Sequence, residues 1–244
     1  MRNNISVWLI MAQTNLHVGN ESVNNFGVID QTIQRDALTR IPCINSSSLK
    51  GAIKEYVAEM AKDLVACKHV FGSEKGAVSD TDTQKGSAVF FDANLLFLPI
   101  QNTDEENCLY KMAYEKAVLE EFAEKLKKMG VAGYTAQSIR EAAEHLLNVP
   151  FIDTSEMQPQ TTLKELSDDE HLPIIARNKL DNGESVNLWY EQVLPSKSIL
   201  GTLIMTKEDS LEIFLDEKLI QIGANATVGY GYCTFVKLNL NVSV

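Results

Sequence analysis

The sequence predicts an α+β fold in which helices cover one face of a mainly antiparallel sheet with a ferredoxin-like (RRM-like) core. Three observations lead there. Apolar, β-branched runs of strand length stand at residues 5–12 and 87–100 and alternate again near the C-terminus. Between them, apolar residues recur at spacings of three and four, the period of an amphipathic helix, and no segment repeats in tandem. With 244 residues and 45% hydrophobic content, the chain has material for a buried core. It reads as one domain, 1–244, carrying a helical insertion at about 101–170.

"ISVWLIMA" has too little polarity for a half-exposed strand and reads as a buried one. Leu49, Ile53, Val57, Met60 and Leu64 then form the stripe of a first helix, with Ser46 or Ser47 as its N-cap. "SAVFFDANLLFLPI" is a second strand, or a pair, stopped at Pro99. Leu109, Met112, Leu119, Phe122, Leu126 and Met129 predict a long helix closed by a basic turn and Gly130. Thr135 caps a further helix running to Leu147, so that the two make an αα-hairpin. Residues 151–172 read as a mobile polar loop. Two strands follow, "SVNLWYEQVLP" and "SILGTLIMT", the first entered through a turn at Asn182-Gly183. "DSLEIFLDEKLIQIG" is expected to be helical up to Gly223, and "YGYCTFVKLNLNV" alternates as a last strand.

A formal charge of −11 gives a nucleic-acid partner no support in the total, since phosphate binding draws on Lys and Arg. The charge is uneven, however. Residues 104–170 hold fifteen Asp/Glu against seven Lys/Arg, whereas residues 1–60 hold five of each. A neutral or basic groove beside an acidic module is compatible with that split. Cys43, Cys67, Cys108 and Cys233 lack CxxC or Cys/His metal spacing and read as reduced thiols. No run is long and apolar enough for a membrane span, and the first residues lack signal-peptide character, so a cytoplasmic chain is expected.

Four segments resist a purely structural account. In "HVGNESVNNFGVIDQTIQRD", a Gly- and Asn-rich loop carries His17, Asp30, Arg35 and Asp36. Asp30 could simply bond its own turn, or as a loop carboxylate it could take a proton or hold a divalent metal. His17 could pack after its strand or protonate a leaving oxygen. Arg35 offers a fork suited to phosphate, or an ion pair. At the start of the first helix, capping explains one serine but not Lys50-Gly51. A cation in a first turn opposes the helix dipole and Gly weakens the helix, costs that a bound phosphate approaching closely would offset. "IQIGANATVGYGYC" is expected to lead from a helix into a strand, so it fails as a dinucleotide fingerprint but suits a loop offering N–H groups to phosphates.

Taken together with "VFGSEKGAVSDTDTQKGSAVFFDANLL" and "ARNKLDNGESVNLWYEQVLP", these stretches resemble the RAMP superfamily of CRISPR RNA-binding proteins. In that superfamily a His-x-Gly follows the first strand, a Ser-Ser-x-Lys-Gly opens the first helix, and a glycine-rich loop precedes the last strand. "GVIDQTIQRD" and "RNKLDNGESVNLWYEQVLP" are similar more narrowly to the backbone subunit of type III-B effectors, the fourth subunit of the Cmr complex, with its type III-A sibling as the alternative. The resemblance covers roughly residues 5–100 and 172–238; residues 101–170 match nothing named.

The resemblance implies a guide-RNA-binding subunit of a helical filament, in contact with further copies of itself and other Cmr subunits, that cuts complementary target RNA at regular intervals. Asp30 falls where the family has its cleavage aspartate, with Mg or Mn as the implied metal and His17 as the assisting group. Arg35, Ser46, Ser47, Lys50, Gly51, Arg177, Lys179, Gly223, Thr227, Gly229, Tyr230 and Gly231 are the implied RNA-binding set, with residues from Arg177 onward opening a thumb that splays the duplex. Tyr230 stands where the family usually has a basic residue, which substitutes stacking for charge. Other readings are a purely structural RNA-binding subunit, a repeat-RNA processing enzyme of the same superfamily and an unrelated metabolic enzyme.

Overall fold

The computed structural model describes residues 4–19, 29–61, 69–72, 85–103, 108–207 and 210–239. Residues 20–28 of the Gly-rich loop, Leu64 and Cys67 beyond the first helix, and residues 73–84 of the "VFGSEKGAVSDTDTQKG" segment lie outside the described residues.

Strand β1 (Asn4–Ala12) is buried along almost its whole length. The sheet runs β10 (Leu219–Gln221), β11 (Tyr232–Lys237), β1, β9 (Ile199–Thr206), β4 (Ala93–Gln101), β5 (Tyr110–Tyr114) and β6 (Phe151–Asp153); β2 (Cys43–Ile44) also pairs with β4, and β3 (Val89–Phe90) with β9. All the pairs are antiparallel except β5 with β6. At its centre, β11-β1-β9-β4 are the fourth, first, third and second strands of a ferredoxin-like unit. Helix α1 (Ser46–Ala61) joins the first to the second, and the short α5 (Ser210–Leu215) joins the third to the fourth. The expected core is therefore present.

Helices cover both faces of this sheet, where one had been expected. Trp8, Ile10 and Ala12 of β1 share a core with Leu49, Ile53 and Val57 of α1 and Leu211 and Leu215 of α5. Val7, Leu9 and Met11, their alternates, share a second core with Leu119, Phe122 and Leu126 of α2 (Lys116–Lys128) and Ile139 and Ala143 of α3 (Ala136–Leu146). Burial on both sides is why β1 reads as a continuous apolar run rather than an alternating one. Residues 101–170 extend the sheet through β5 and β6 and close its second face with α2 and α3.

Four element boundaries differ from the sequence expectation. The stripe assigned to one long helix splits: Met112 is buried in β5, Leu109 is exposed before it, and the helix begins at Lys116. Pairing of Tyr110–Tyr114 with β4 outweighs the helical spacing. Strand β4 continues through Pro99 because its pairing with β9 has already ended at Phe97, so the missing N–H interrupts no ladder there. Residues 151–172 hold β6, a 3₁₀ turn and helix α4 (Leu163–Leu166) capped by Thr162 and Glu165. Helix α5 stops at Leu215, Glu217 takes φ 57°, and Leu219–Gln221 pair with β11, so the glycine-rich loop follows a strand. The caps at Thr135 and Gly130 are as expected, Gly130 with φ 89° and Thr135 with a reciprocal box to Ser138.

Gly201 of β9 lies under the second helical layer, where an added Cβ would sit 2.5 Å from Leu96 Cδ1 and 2.9 Å from Phe122 Cζ. Both neighbours are buried, so Gly201→Ala is expected to destabilise the chain by about 1–3 kcal/mol. A lowered urea midpoint with an unchanged denaturant slope would show it.

Candidate nucleic-acid interface

The last two strands to place, β7 (Ile174–Asp181) and β8 (Glu184–Gln192), form a hairpin separate from the main sheet. Asn182 and Gly183 turn it with φ 49° and 88°, both positive as a two-residue type I′ turn needs. Its outer part exposes Leu180, Val186 and Leu188, while at its root Glu191 and Gln192 of β8 are buried and meet the N-terminal loop and the glycine-rich loop.

Asp30 stands at that root. Its N–H and that of Gln31 donate to Tyr190 O, each at 3.1 Å, and Tyr190 N–H donates back to Asp30 Oδ2 at 2.7 Å. Gln31 O accepts from Gln192 N–H at 2.9 Å. The carboxylate is therefore fixed to the hairpin rather than to its own turn. It is solvent-exposed, and Oδ1 takes no hydrogen bond from any described residue.

His17 lies inward. It is 2% exposed, and Nδ1 donates to Gln192 O at 2.7 Å, an acceptor that fixes the proton on Nδ1. Of the two readings of His17, its burial supports the packed one. Arg35 likewise does not offer its fork outward. Nη1 donates to Arg40 O (3.0 Å) and Ser167 O (2.7 Å), Nη2 pairs with Asp169 Oδ1 at 2.8 Å, and the side chain is 7% exposed. Of the two readings of Arg35, the ion pair is the one seen in this structure. Asp36 accepts from Leu38 N–H and from Thr39 N–H and Oγ1–H; the Thr39 N–H foremost holds its carboxyl below the usual aspartate range.

At the start of α1, Ser46 occupies the first helical position and its N–H donates to Asp92 Oδ1 at 2.6 Å. The chain's own carboxylate thus meets the first amide of that helix, which makes Asn45 the capping position. Ser47 is exposed, Lys50 makes no ion pair with a described residue, and a Cβ added to Gly51 would meet nothing within 4 Å. Gly51 therefore borders open space. Gln34 ties this helix start to the Asp30 segment, donating to Ser48 Oγ and Gly19 O and accepting from Asn45 N–H.

The glycine-rich loop spends much of its backbone inward, against the expectation of free amides. Ala224 N–H donates to His17 O, Gly231 N–H to Asn15 O, and those of Val228, Gly229 and Tyr230 close the turn on itself. Gly223, Thr227 and Gly229 of the predicted set are exposed, Tyr230 is half-buried and Gly231 is buried. Gly223 and Gly231 are held at φ 83° and 79° against the backbone oxygens of His17 and Ile222.

Glu191, 3% exposed, joins the hairpin root to this loop. It accepts from Trp189 Nε1–H (2.7 Å), Arg177 Nε–H (3.1 Å) and Asn225 Nδ2–H (2.8 Å). Burial pushes the carboxyl up, but the bonds from Trp189 and Arg177 and the guanidinium charge outweigh it, leaving the pKa below the usual glutamate range. The sequence reading passed over Glu191 and Gln192; the signal was two polar residues side by side in an otherwise apolar strand end. A folded-state pKa below the unfolded one contributes stability that is complete above the ordinary glutamate value, about 4.3, and is lost as pH falls through the folded value. Accordingly, Glu191→Gln should flatten the acid limb of a urea-midpoint-against-pH curve.

Lys179 is exposed farther along β7. Cys43 and Cys233 are free, and burial, foremost, pushes both thiols up to about 12. Among the described residues, no group of three His, Cys, Asp or Glu could hold a metal, and no helix is long and apolar enough to cross a membrane.

The model of the RAMP superfamily matches residues 9–234, nearly the whole chain. The chain belongs to the RAMP superfamily. This RAMP protein is 25% identical to the CRISPR system Cmr endoribonuclease Cmr4 of Pyrococcus furiosus over 90% of each chain. It is 26% identical to the endoribonuclease Csm3 of Streptococcus thermophilus over 65% of its own length and 73% of that protein. Its fold is shared with a chain of the type III-B Cmr-beta complex bound to cognate target RNA, with TM-score 0.71, 18% identity, and 96% and 97% of the two chains covered. Oligomeric Cmr4 from Pyrococcus furiosus gives TM-score 0.64 at 17% identity, with 98% and 100% covered. The superfamily's ferredoxin-like sheet cannot stack bases on its open face here, since α2 and α3 cover it.

Proposed function

We propose that this RAMP protein is a guide-RNA-binding backbone subunit of a type III-B effector in the cytoplasm and that Asp30 carries its target-RNA endonuclease activity. The observation that carries this reading is an exposed carboxylate locked at the root of a protruding hairpin by Tyr190 N–H, in a chain similar over 90% of its length to an endoribonuclease. Further copies of the chain, other Cmr subunits, guide RNA and complementary target RNA are the partners. Lys50, Gly51, Ser47, Thr227, Gly229 and Lys179 supply the outward groups for the RNA backbone.

The chemistry is transesterification. Asp30 takes the proton of a target 2′-hydroxyl, a 2′-O–P bond forms and the 5′-O–P bond breaks, which leaves a 2′,3′-cyclic phosphate and a 5′-hydroxyl. His17, buried and bonded to Gln192 O, orients the loop, and water protonates the leaving oxygen. The described side chains build no cage for the implied Mg or Mn. Asp30 offers one oxygen that takes no hydrogen bond from any described residue, so such an ion would draw its remaining ligands from RNA phosphates and water, where it would supply charge stabilisation.

The test is an effector assembled with native chain or with Asp30→Ala and given a labelled, guide-complementary RNA in Mg²⁺ or Mn²⁺. Loss of regularly spaced cuts with target binding retained is the expected result. Unchanged cutting would reduce the chain to a structural RNA-binding subunit.

A further inference from the structure

Arg177 differs from the other cations of the predicted RNA-binding set in what surrounds it. Its guanidinium carbon lies 4.4 Å from the Tyr230 ring centroid, a cation–π stack. Its Nε donates to Glu191 Oε2, the same oxygen that accepts from Asn225 of the glycine-rich loop. Its Nη2 is enclosed without a hydrogen-bond partner among the described residues. A side chain built to meet a phosphate from solvent would present its fork outward; this one is only 20% exposed, with Nε bound, Nη2 sealed in and a face covered by an aromatic ring, which leaves Nη1 alone without a described partner.

We propose that Arg177 is a positioning residue that clamps the hairpin root to the glycine-rich loop, and that it is not a phosphate contact. One carboxylate oxygen receives a donor from β7 and another from the loop, while the Arg177–Tyr230 stack closes the same junction from its other side. The consequence reaches the cleavage carboxylate directly. Tyr190, between Trp189 and Glu191, donates its N–H to Asp30 Oδ2, so the placement of the hairpin root sets the placement of Asp30. This step rests on the reading of Asp30 as the cutting group. The clamp itself does not. Lys179, two residues on and exposed, provides the contrast of a hairpin cation outside the clamp.

The experiment compares effectors assembled with native chain, Arg177→Ala, Arg177→Lys, Asn225→Ala and Lys179→Ala. Guide-RNA affinity is followed against salt, single-turnover cutting at saturating target, and amide hydrogen exchange over the subunit. Both Arg177 variants are expected to keep the native salt slope while cutting slows about 100-fold, the scale of a carboxylate misplaced by roughly 1 Å, and exchange rises together at residues 174–177, 189–192 and 224–230. Asn225→Ala, which leaves the hairpin intact, should raise exchange in the loop and the root as well. Lys179→Ala should instead lower the salt slope by about 1.

A slope lowered by about 1 in Arg177→Ala and restored in Arg177→Lys would overturn the proposal and make Arg177 a phosphate contact. So would native exchange at 224–230 in Arg177→Ala. Native-rate cutting by Asp30→Ala would overturn the nuclease reading alone, because the exchange measurement decides the clamp without any cleavage.

Discussion

Asp30→Asn is expected to slow target cutting by about 10²–10⁴-fold, the usual contribution of a general base, while the effector still assembles and binds its target. The reason lies in the two jobs of the carboxylate. One oxygen accepts the Tyr190 N–H at 2.7 Å and holds the N-terminal loop on the hairpin; the other takes no hydrogen bond from any described residue and, on the proposed function, is the one that meets substrate. Asparagine keeps an amide oxygen for Tyr190 and loses only the charge and basicity. Alanine loses both, so Asp30→Ala should cut as poorly and in addition loosen residues 29–31, visible as faster exchange at Gln31 and Tyr190. A variant pair in which Ala is dead but Asn is near native would show that Asp30 acts by holding the loop and not by chemistry. The measurement is single-turnover cleavage of a guide-matched RNA beside a binding assay on the same complexes.

The second large effect is expected at Gly223, in stability. Its φ of 83° already disfavours a side chain, and an added Cβ would lie 2.3 Å from His17 O, the oxygen that accepts the Ala224 N–H. Left-handed strain costs about 1–2 kcal/mol, overpacking against backbone another 1–3 kcal/mol, and the displaced hydrogen bond about 1 kcal/mol. Gly223→Ala should therefore destabilise the chain by about 3–6 kcal/mol. Gly229 is the control. It has φ 85° but open space around its Cβ direction, so Gly229→Ala should cost only the strain, about 1–2 kcal/mol. Equal losses at the two positions in urea unfolding would show that the contact between the loop and His17 contributes nothing.

Much of the fold was legible because local rules and tertiary packing agreed. Leu49, Ile53 and Val57 mark a helix that does bury them, although Met60 of the same expected stripe is 58% exposed near the helix end; Thr135 and Gly130 are caps that do cap, and Asn182-Gly183 forms the expected turn. Boundaries failed where they disagreed. Tyr110–Tyr114 and Leu219–Gln221 carry helix-compatible spacing, yet each adds a strand to an edge that the rest of the chain supplies. Short segments have too little intrinsic preference to resist such pairing.

For the site, the sequence by itself determined which residue types were available: a loop carboxylate, a histidine after the first strand, a Lys-Gly at a helix start, a glycine-rich loop and a hairpin. It also determined the superfamily, through motifs in a fixed order. Only the tertiary structure decided which of those groups face outward. Arg35 and Arg177 read as equals of Lys50 and Lys179 in sequence, but Asp169, Glu191 and Tyr230 hold the two guanidiniums against the protein, with the side chains 7% and 20% exposed. Whether a charged side chain meets solvent depends on partners brought from distant parts of the chain. A desolvated guanidinium persists only where such partners exist, and no spacing along the sequence records them.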